Sequence, residues 1–343
     1  ENEMINYEKI FRYGIDKISL YNFSLHTEKN FKKLIEDKEN VMKEKTIITD
    51  ELFSIVNSYT LYQGEEGIEE SYFNRITFNP NKILTGDNIC NSTSEDLKKA
   101  IEKLTDILKE KDIYIDFSSA KVADIEINLN VSIDFNEYSE VFMLLFKQNE
   151  YSKSISALTN SNIVKELRID ESFFTRLSKS VRFKVYSKDR EKELNFKISR
   201  LEYFFETSAY KYMVEKFGID NSLESLIKNN QLLEEIFKYR IKQDFIKKAF
   251  TYIEKNIKPL LEREYLAFKK SSALARRIGR KTERNVYKYL EQFWIFDYSF
   301  LIEIIEKYDS KHKGREINRV KNKYIQHDNL KKFNHLLELI FPH

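Results

Sequence analysis

Through the first part of the chain, short runs of β-branched and aromatic residues alternate with polar ones, and after Tyr210 the apolar positions fall at helical spacing. The clearest alternation lies at residues 122–131. There Val122, Asp124, Glu126 and Asn128 share one face of an expected strand, and Ile125, Ile127 and Leu129 share the other. A strand with one polar and one apolar face predicts a sheet packed on one side. Residues 17–23, 75–78, 173–177, 181–186 and 198–205 read as further strands, with 178–180 short enough for a hairpin turn. Residues 94–109 place Leu97, Ile101, Leu104 and Leu108 on one helical stripe behind Ser94, which is suited to cap the first turn. This helix is expected to cover the apolar sheet face. Beyond it, Leu223, Leu226, Leu232, Leu233, Ile236 and Phe237 continue a helical period, and Pro259 marks a helix start or break. The pattern predicts an α+β protein. An antiparallel sheet with helices on one face would occupy residues 1–220, and a mostly helical domain residues 221–343.

Composition narrows the class. A chain of 343 residues is long enough for more than one core, and 41% hydrophobic residues are too many for a disordered protein. The single cysteine, Cys90, excludes an internal disulfide framework and a cysteine-rich zinc site, and is read as a bystander. There is no apolar run long enough to cross a bilayer and no signal-peptide shape at the start, so a cytoplasmic protein with no membrane partner is expected. With only seven glycines, no Gly-rich phosphate loop is present, which argues against nucleoside-triphosphate hydrolysis. The net charge is +3, so a nucleic-acid signal would have to be local. Such a signal lies at Lys269, Lys270, Arg276, Arg277, Arg280, Lys281 and Arg284, which have only Glu283 as an acidic neighbour; a solvated helix face is the other reading. Trp294, with Phe293, Phe296 and Tyr298, reads as core in preference to a base-stacking platform.

Candidate chemistry gathers at the ends of the expected strands. Val185-Tyr186-Ser187-Lys188-Asp189-Arg190-Glu191 sets a phenol, an ammonium and carboxylates at the close of one strand. Glu126 stands at the centre of the polar face of 122–131, and Glu202 follows Arg200 on another strand. Carboxylates converging from neighbouring strands make a hard-oxygen site for Mg²⁺ or Mn²⁺. A cross-strand salt-bridge ladder is the competing reading of the same residues.

The order of these segments resembles the filamentous-phage replication initiator (gene II protein) family. The block from Phe78-Asn79-Pro80 through Thr85-Gly86-Asp87-Asn88-Ile89 is followed by a helix and by Ala123-Asp124-Ile125-Glu126. Then come Val185-Tyr186-Ser187-Lys188, Arg200-Leu201-Glu202 and Lys216-Phe217-Gly218, at spacings similar to those of the family. The resemblance implies a ferredoxin-like or HUH-nuclease-like core and a rolling-circle replication initiator of a phage or plasmid in a bacterial host. Its tyrosine would attack a DNA phosphodiester, keep the 5′ phosphate and release a 3′ hydroxyl. On that likeness Tyr186 is the nucleophile, and Lys188 steadies charge on the phosphate or the phenol. Glu126, Glu202 and Glu191 (or Glu193) would hold Mg²⁺ or Mn²⁺. Asp87 stands where the family usually has histidine, and as a carboxylate it is suited to replace that ligand. Of the five histidines, only His26 falls near the expected sheet. The basic segment, with 271–279 and 285–289 similar in pattern to the family, is expected to bind single-stranded or origin DNA, and host helicase or polymerase are further partners. Two other functions remain open at this point: a DNA-binding regulator without cleavage, and a module that sequesters a host protein.

Overall fold

The structure, a computed structural model, describes residues 10–27, 33–38, 41–64, 67–142, 172–248, 299–308 and 328–342, with isolated positions between 251 and 322. The chain divides into two units. One comprises Glu1–Ser132 with Arg176–Phe237, the other Ile133–Thr175 with Lys238–His343.

The first unit is built on an antiparallel sheet. In chain order the strands of this sheet are β1 (Tyr13–Tyr21), β3 (Lys33–Lys38), β4 (Val41–Thr49), β5 (Phe53–Gly64), β6 (Gly67–Phe78), β8 (Lys121–Val131), β9 (Ser172–Ser178, of which Arg176–Ser178 fall in this unit), β10 (Val181–Ser187) and β11 (Ser199–Phe205). They lie side by side in the order β3-β4-β5-β6-β1-β8-β11-β10-β9, while β2 (Ser24–Thr27) and β7 (Ile113–Asp116) form a separate pair. Strands β8 and β11 sit at the centre of the site-bearing half because each is paired on both sides, β8 with β1 and β11, β11 with β8 and β10. Their alternation sets the two faces. Ile125, Ile127 and Leu129 of β8 lie opposite Phe205, Tyr203 and Leu201 of β11, and all six are buried. On the other face Asn128 and Asn130 are also buried, although polar. Asn130 donates to the carbonyls of Ile10 and Ile89 at 3.0 and 3.1 Å, so a chain segment covers this end of the polar face and meets its amides.

That segment begins at a short helix, α1 (Pro80–Thr85). Asn79 caps it by accepting from the Lys82 amide at 2.9 Å, proline takes the first turn, and Gly86 ends it at a φ of 85°, which side-chain-bearing residues rarely adopt. The following loop then passes close against β1. A Cβ on Gly14 would lie 2.7 Å from Asn91 Cβ and 2.8 Å from the Ser92 carbonyl, so this approach requires glycine.

The helix α2 (Ser94–Glu110) buries Leu97, Ala100, Leu104 and Leu108. Its cap is Thr93, one residue before the expected Ser94. Thr93 Oγ1 accepts from the Asp96 amide at 3.2 Å and Asp96 accepts from the Thr93 amide at 3.1 Å, a reciprocal box that satisfies two otherwise orphaned donors; Ser94 is buried as the first helical residue. Thr93→Ala is expected to destabilise the fold by about 1 kcal/mol. A urea titration would read this as a lower midpoint at unchanged slope, and an unchanged midpoint would show that the box contributes nothing.

After β10 comes a single turn, α3 (Lys188–Glu191), and after β11 come α4 (Thr207–Lys216), α5 (Leu223–Lys228) and α6 (Leu232–Ile241). In the second unit the described elements beyond α6 are helical: a π-helical turn at Lys242–Lys247, α7 (Ser299–Tyr308) and α8 (Asp328–Ile340). Within that unit Tyr138 and His335 share a hydrogen bond of 2.7 Å. The overall class is thus α+β with a helical C-terminal part. Among the described residues, no helix is long and apolar enough to cross a membrane.

Candidate functional site

Three strands bring carboxylates to one spot on the polar face. Glu126 projects from β8. Glu202, on β11, lies opposite Asn128 and therefore diagonal to Glu126 on the same face. The third acid, Asp16, comes from β1 at a register shift: Ile15 pairs with Ile127 and Lys17 with Glu126, which leaves Asp16 as the extra residue of a bulge. One oxygen from each of Asp16, Glu126 and Glu202 lies within 4.8 Å of the others.

Tyr186 closes β10 on the same face, opposite Arg200 and two residues beyond Lys184, which lies opposite Glu202. The phenol donates to Glu202 Oε2 at 3.3 Å. Lys184 Nζ stands 4.1 Å from the centroid of the Tyr186 ring and Lys188 Nζ 5.6 Å from it. The two lysines differ in setting. Lys188 is 0% exposed and donates to both oxygens of Glu191, at 3.0 and 3.1 Å, whereas Lys184 is half-buried and forms no ion pair among the described residues.

Arg200 ties these parts together from beneath. It is fully buried, with Nε donating to Asn130 Oδ1 at 2.7 Å and Nη1 to Asp16 Oδ1 at 2.8 Å. Its Nη2 serves the carbonyls of Asn88 and Ile89 at 3.0 and 2.9 Å and Asn91 Oδ1 at 3.2 Å. One planar donor fork therefore fixes both an acid of the trio and the loop after α1.

Burial and mutual repulsion govern the protonation of the cluster. Glu126 is pushed up to about 8, first by burial and then by the charges of Glu202 and Asp16. Glu202 is raised for the same reasons, burial first and Asp16 next. Burial also drives the Tyr186 phenol far above its ordinary value, with Glu202, Asp16 and Glu191 adding to the effect and Arg200 opposing it. Lys188 is pushed down to about 8 by burial and by Arg200. In the metal-free protein the phenol is consequently held neutral, and the acids resist sharing three negative charges.

Of the residues singled out in the sequence, Tyr186, Lys188, Glu126 and Glu202 meet at this spot. Asp87 and Glu191 fall outside the trio. Asp87 Oδ1 accepts from the Ile89 amide at 2.8 Å and from Asn81 at 3.2 Å, which makes it a brace of the loop that Arg200 also holds. Glu191 is the partner of Lys188, and Glu193 is exposed, at a φ of 52°. His26 lies on β2 beside Tyr114, ring centroids 6.4 Å apart, and is no part of the trio. Lys269, Lys270, Arg276, Arg277, Arg280, Lys281 and Arg284, together with Trp294 and its aromatic neighbours, lie outside the described residues. Asp16, Lys184 and the bracing role of Arg200 were missed. The signal for Asp16 was present as a break in alternation, since the buried Ile15 and Ile18 are three residues apart instead of two.

The sheet and its helices make an α+β fold in which acids from β1, β8 and β11 and a tyrosine from β10 share one polar face. Residues 54–234 match the family described as the N-terminal part of the replication-associated gene II protein, and the chain belongs to this family of rolling-circle replication initiators. A solved rolling-circle replication initiator protein from Geobacillus stearothermophilus is remotely similar, at 9% identity over 68% of this chain and 85% of that one, with a TM-score of 0.29. No curated protein matches the chain in sequence.

Proposed function

We propose that the protein is a metal-dependent tyrosine nickase and joining enzyme that opens one DNA strand at a phage or plasmid origin, in the cytoplasm of a bacterial host. The observation that carries this reading is the Tyr186 phenol, 3.3 Å from Glu202 and on the same sheet face as Asp16 and Glu126. Tyr186 Oη attacks the phosphorus, so an O–P bond to the tyrosine forms as the P–O3′ bond breaks. The phenol proton passes to Glu202 along the existing hydrogen bond, and the departing 3′ oxygen takes a proton from water. The 5′ phosphate stays on the enzyme and the 3′ hydroxyl is free for a polymerase. Rejoining is the reverse attack, which is feasible because phenolate is a better leaving group than alkoxide.

The carboxylates of Asp16, Glu126 and Glu202 suit a hard divalent cation such as Mg²⁺ or Mn²⁺, which when bound would neutralise the acids and polarise the scissile phosphate. Glu191 and Asp87, drawn in by the sequence pattern, act in this reading as braces of Lys188 and of the loop 86–92. Lys188, buried close to the ring, positions Tyr186. The basic segment 269–284 supplies sequence-independent affinity for single-stranded or origin DNA by neutralising phosphates. Host helicase and polymerase would act downstream of the 3′ end.

The deciding experiment uses oligonucleotides tiling the protein's own replicon, labelled at the 5′ or the 3′ end, with and without Mn²⁺. A metal-dependent covalent adduct that retains the 3′ label and releases the 5′-labelled fragment is the expected outcome. Salt-sensitive DNA binding without any adduct would indicate a regulator in place of a nickase.

Metal binding should also release protons. Because Glu126 is raised, the folded metal-free protein carries a proton that the unfolded chain has already lost between the ordinary carboxylate value and about 8. Metal-free stability therefore falls as pH rises through that window, and Mn²⁺ affinity rises through it. Calorimetric titrations of Mn²⁺ in buffers of different protonation enthalpy, below and above pH 8, would reveal proton release at the lower pH. A pH-independent affinity without proton release would rule out the trio as the metal site.

A further inference from the structure

Two lysines approach the Tyr186 ring, and only one of them is partly exposed. Lys188 is fully buried and saturated on one side by both oxygens of Glu191, so bringing its ammonium to a DNA phosphate would require uncovering it and breaking that pair. Lys184 is half-buried, lies above the ring at 4.1 Å, and occupies the β10 position opposite Glu202, on the face where the three acids gather. Tyr186 itself is only 7% exposed. A phosphate that reaches its phenol must arrive beside the ammonium lying over the ring.

Resting on the nickase reading above, we propose that Lys184 is a further catalytic residue, the cation that contacts the non-bridging oxygens of the scissile phosphate while Tyr186 attacks. Charge on those oxygens grows as the Tyr186 O–P bond forms and the P–O3′ bond breaks, and a fixed ammonium beside them stabilises that state more than the ground state. During rejoining the same ammonium, lying over the ring, stabilises the developing phenolate and favours departure of the tyrosine oxygen. Carboxylates near a phosphate would otherwise repel it. With Lys188 committed to Glu191, and Arg200 to Asp16 and the loop carbonyls, Lys184 is the cation at the ring that is not engaged in an ion pair among the described residues.

The test is single-turnover adduct formation by the full chain with Mn²⁺ and the replicon oligonucleotide that wild type cleaves, with Lys184→Met and Lys184→Arg. Methionine keeps an unbranched stem over the ring and removes the charge. Lys184→Met is expected to slow adduct formation about 100- to 1,000-fold, as loss of one transition-state donor does. Its affinity for the oligonucleotide should stay within about threefold of wild type, since an interaction made mainly in the transition state leaves ground-state binding nearly unchanged. Lys184→Arg should recover most of the rate. A Lys184→Met rate within about threefold of wild type overturns the proposal, and so does a loss of rate matched by equal losses in binding or thermal stability. An adduct that persists in Tyr186→Phe, or a wild type that forms none, overturns the nickase reading and this inference with it. A normal wild-type adduct that needs Tyr186 but not Lys184 overturns this inference alone.

Discussion

Tyr186→Phe is expected to eliminate the covalent adduct, with the rate falling at least ~1,000-fold, because phenylalanine has no oxygen to form the bond to phosphorus. The substitution is informative because it costs the fold little. The phenol makes one hydrogen bond, at 3.3 Å to Glu202, and such a bond contributes about 1 kcal/mol. The ring, which packs beneath Lys184 and close to Lys188, is retained. Removing the hydroxyl also leaves Glu202 its place in the acid trio, so Mn²⁺ should bind Tyr186→Phe about as well as wild type. Folding by thermal melt, Mn²⁺ binding by calorimetry and DNA binding by anisotropy should therefore be nearly unchanged while the adduct disappears. Loss of the adduct together with loss of metal binding would mean that Tyr186 supports the site without being its nucleophile. An adduct that survives would place the nucleophile on another residue.

How much of this was legible in the sequence depends on which residues face a packed core. Strand β8 was readable to within a residue because Ile125, Ile127 and Leu129 alternate with Asp124, Glu126 and Asn128, and β10 and β11 followed from similar runs. Glu126 could therefore be assigned to a face from periodicity, Glu202 and Tyr186 only to a strand and a strand end, and the ordered motifs suggested that they meet. Strands β2 to β5, β7 and the first parts of β1 and β6 went unread. In β5 most positions after Ile55 are half-buried, so neither face of the strand carries a strong apolar signal, and polar residues such as Asn57 and Thr60 dilute the rest. Asp16 was hidden differently, by a bulge whose effect on side-chain direction appears only when β1 is paired with β8. Asp87 illustrates a third limit. A carboxylate in a loop next to a glycine has the composition of a ligand, but a short aspartate also bonds readily to the backbone two residues on, and here it does so at Ile89. No periodicity distinguishes those fates. Lys188 and Lys184 were separable only by burial, which depends on the turn α3 folding Glu191 back over the strand end.

The Arg200 network is where fold and site depend on each other most, and Arg200→Met should reduce stability by about 3–5 kcal/mol, as loss of one partner from a buried ion pair does. Methionine fills much of the volume but leaves Asp16 without its 2.8 Å partner and strips donors from Asn130, Asn91 and the carbonyls of Asn88 and Ile89. It also removes the guanidinium that opposes the charges of Asp16 and Glu202. The raised value of Glu202, which Arg200 opposes, should then climb further, so the deficit should be larger at alkaline than at acid pH, where protonation of the acids relieves their repulsion. Added Mn²⁺ should restore part of the loss by replacing one source of positive charge with another. Because small-domain stability is typically about 5–15 kcal/mol, the variant should remain measurable by urea unfolding at low pH even if it is marginal at neutral pH. A second variant isolates the pair. Arg200→Met combined with Asp16→Asn removes both charges and should be more stable than Arg200→Met alone, since an unpaired buried carboxylate costs more than an absent one. A deficit below about 1 kcal/mol for Arg200→Met, or a double variant less stable than the single one, would show that the guanidinium is not what holds Asp16 and the loop 88–91 in place.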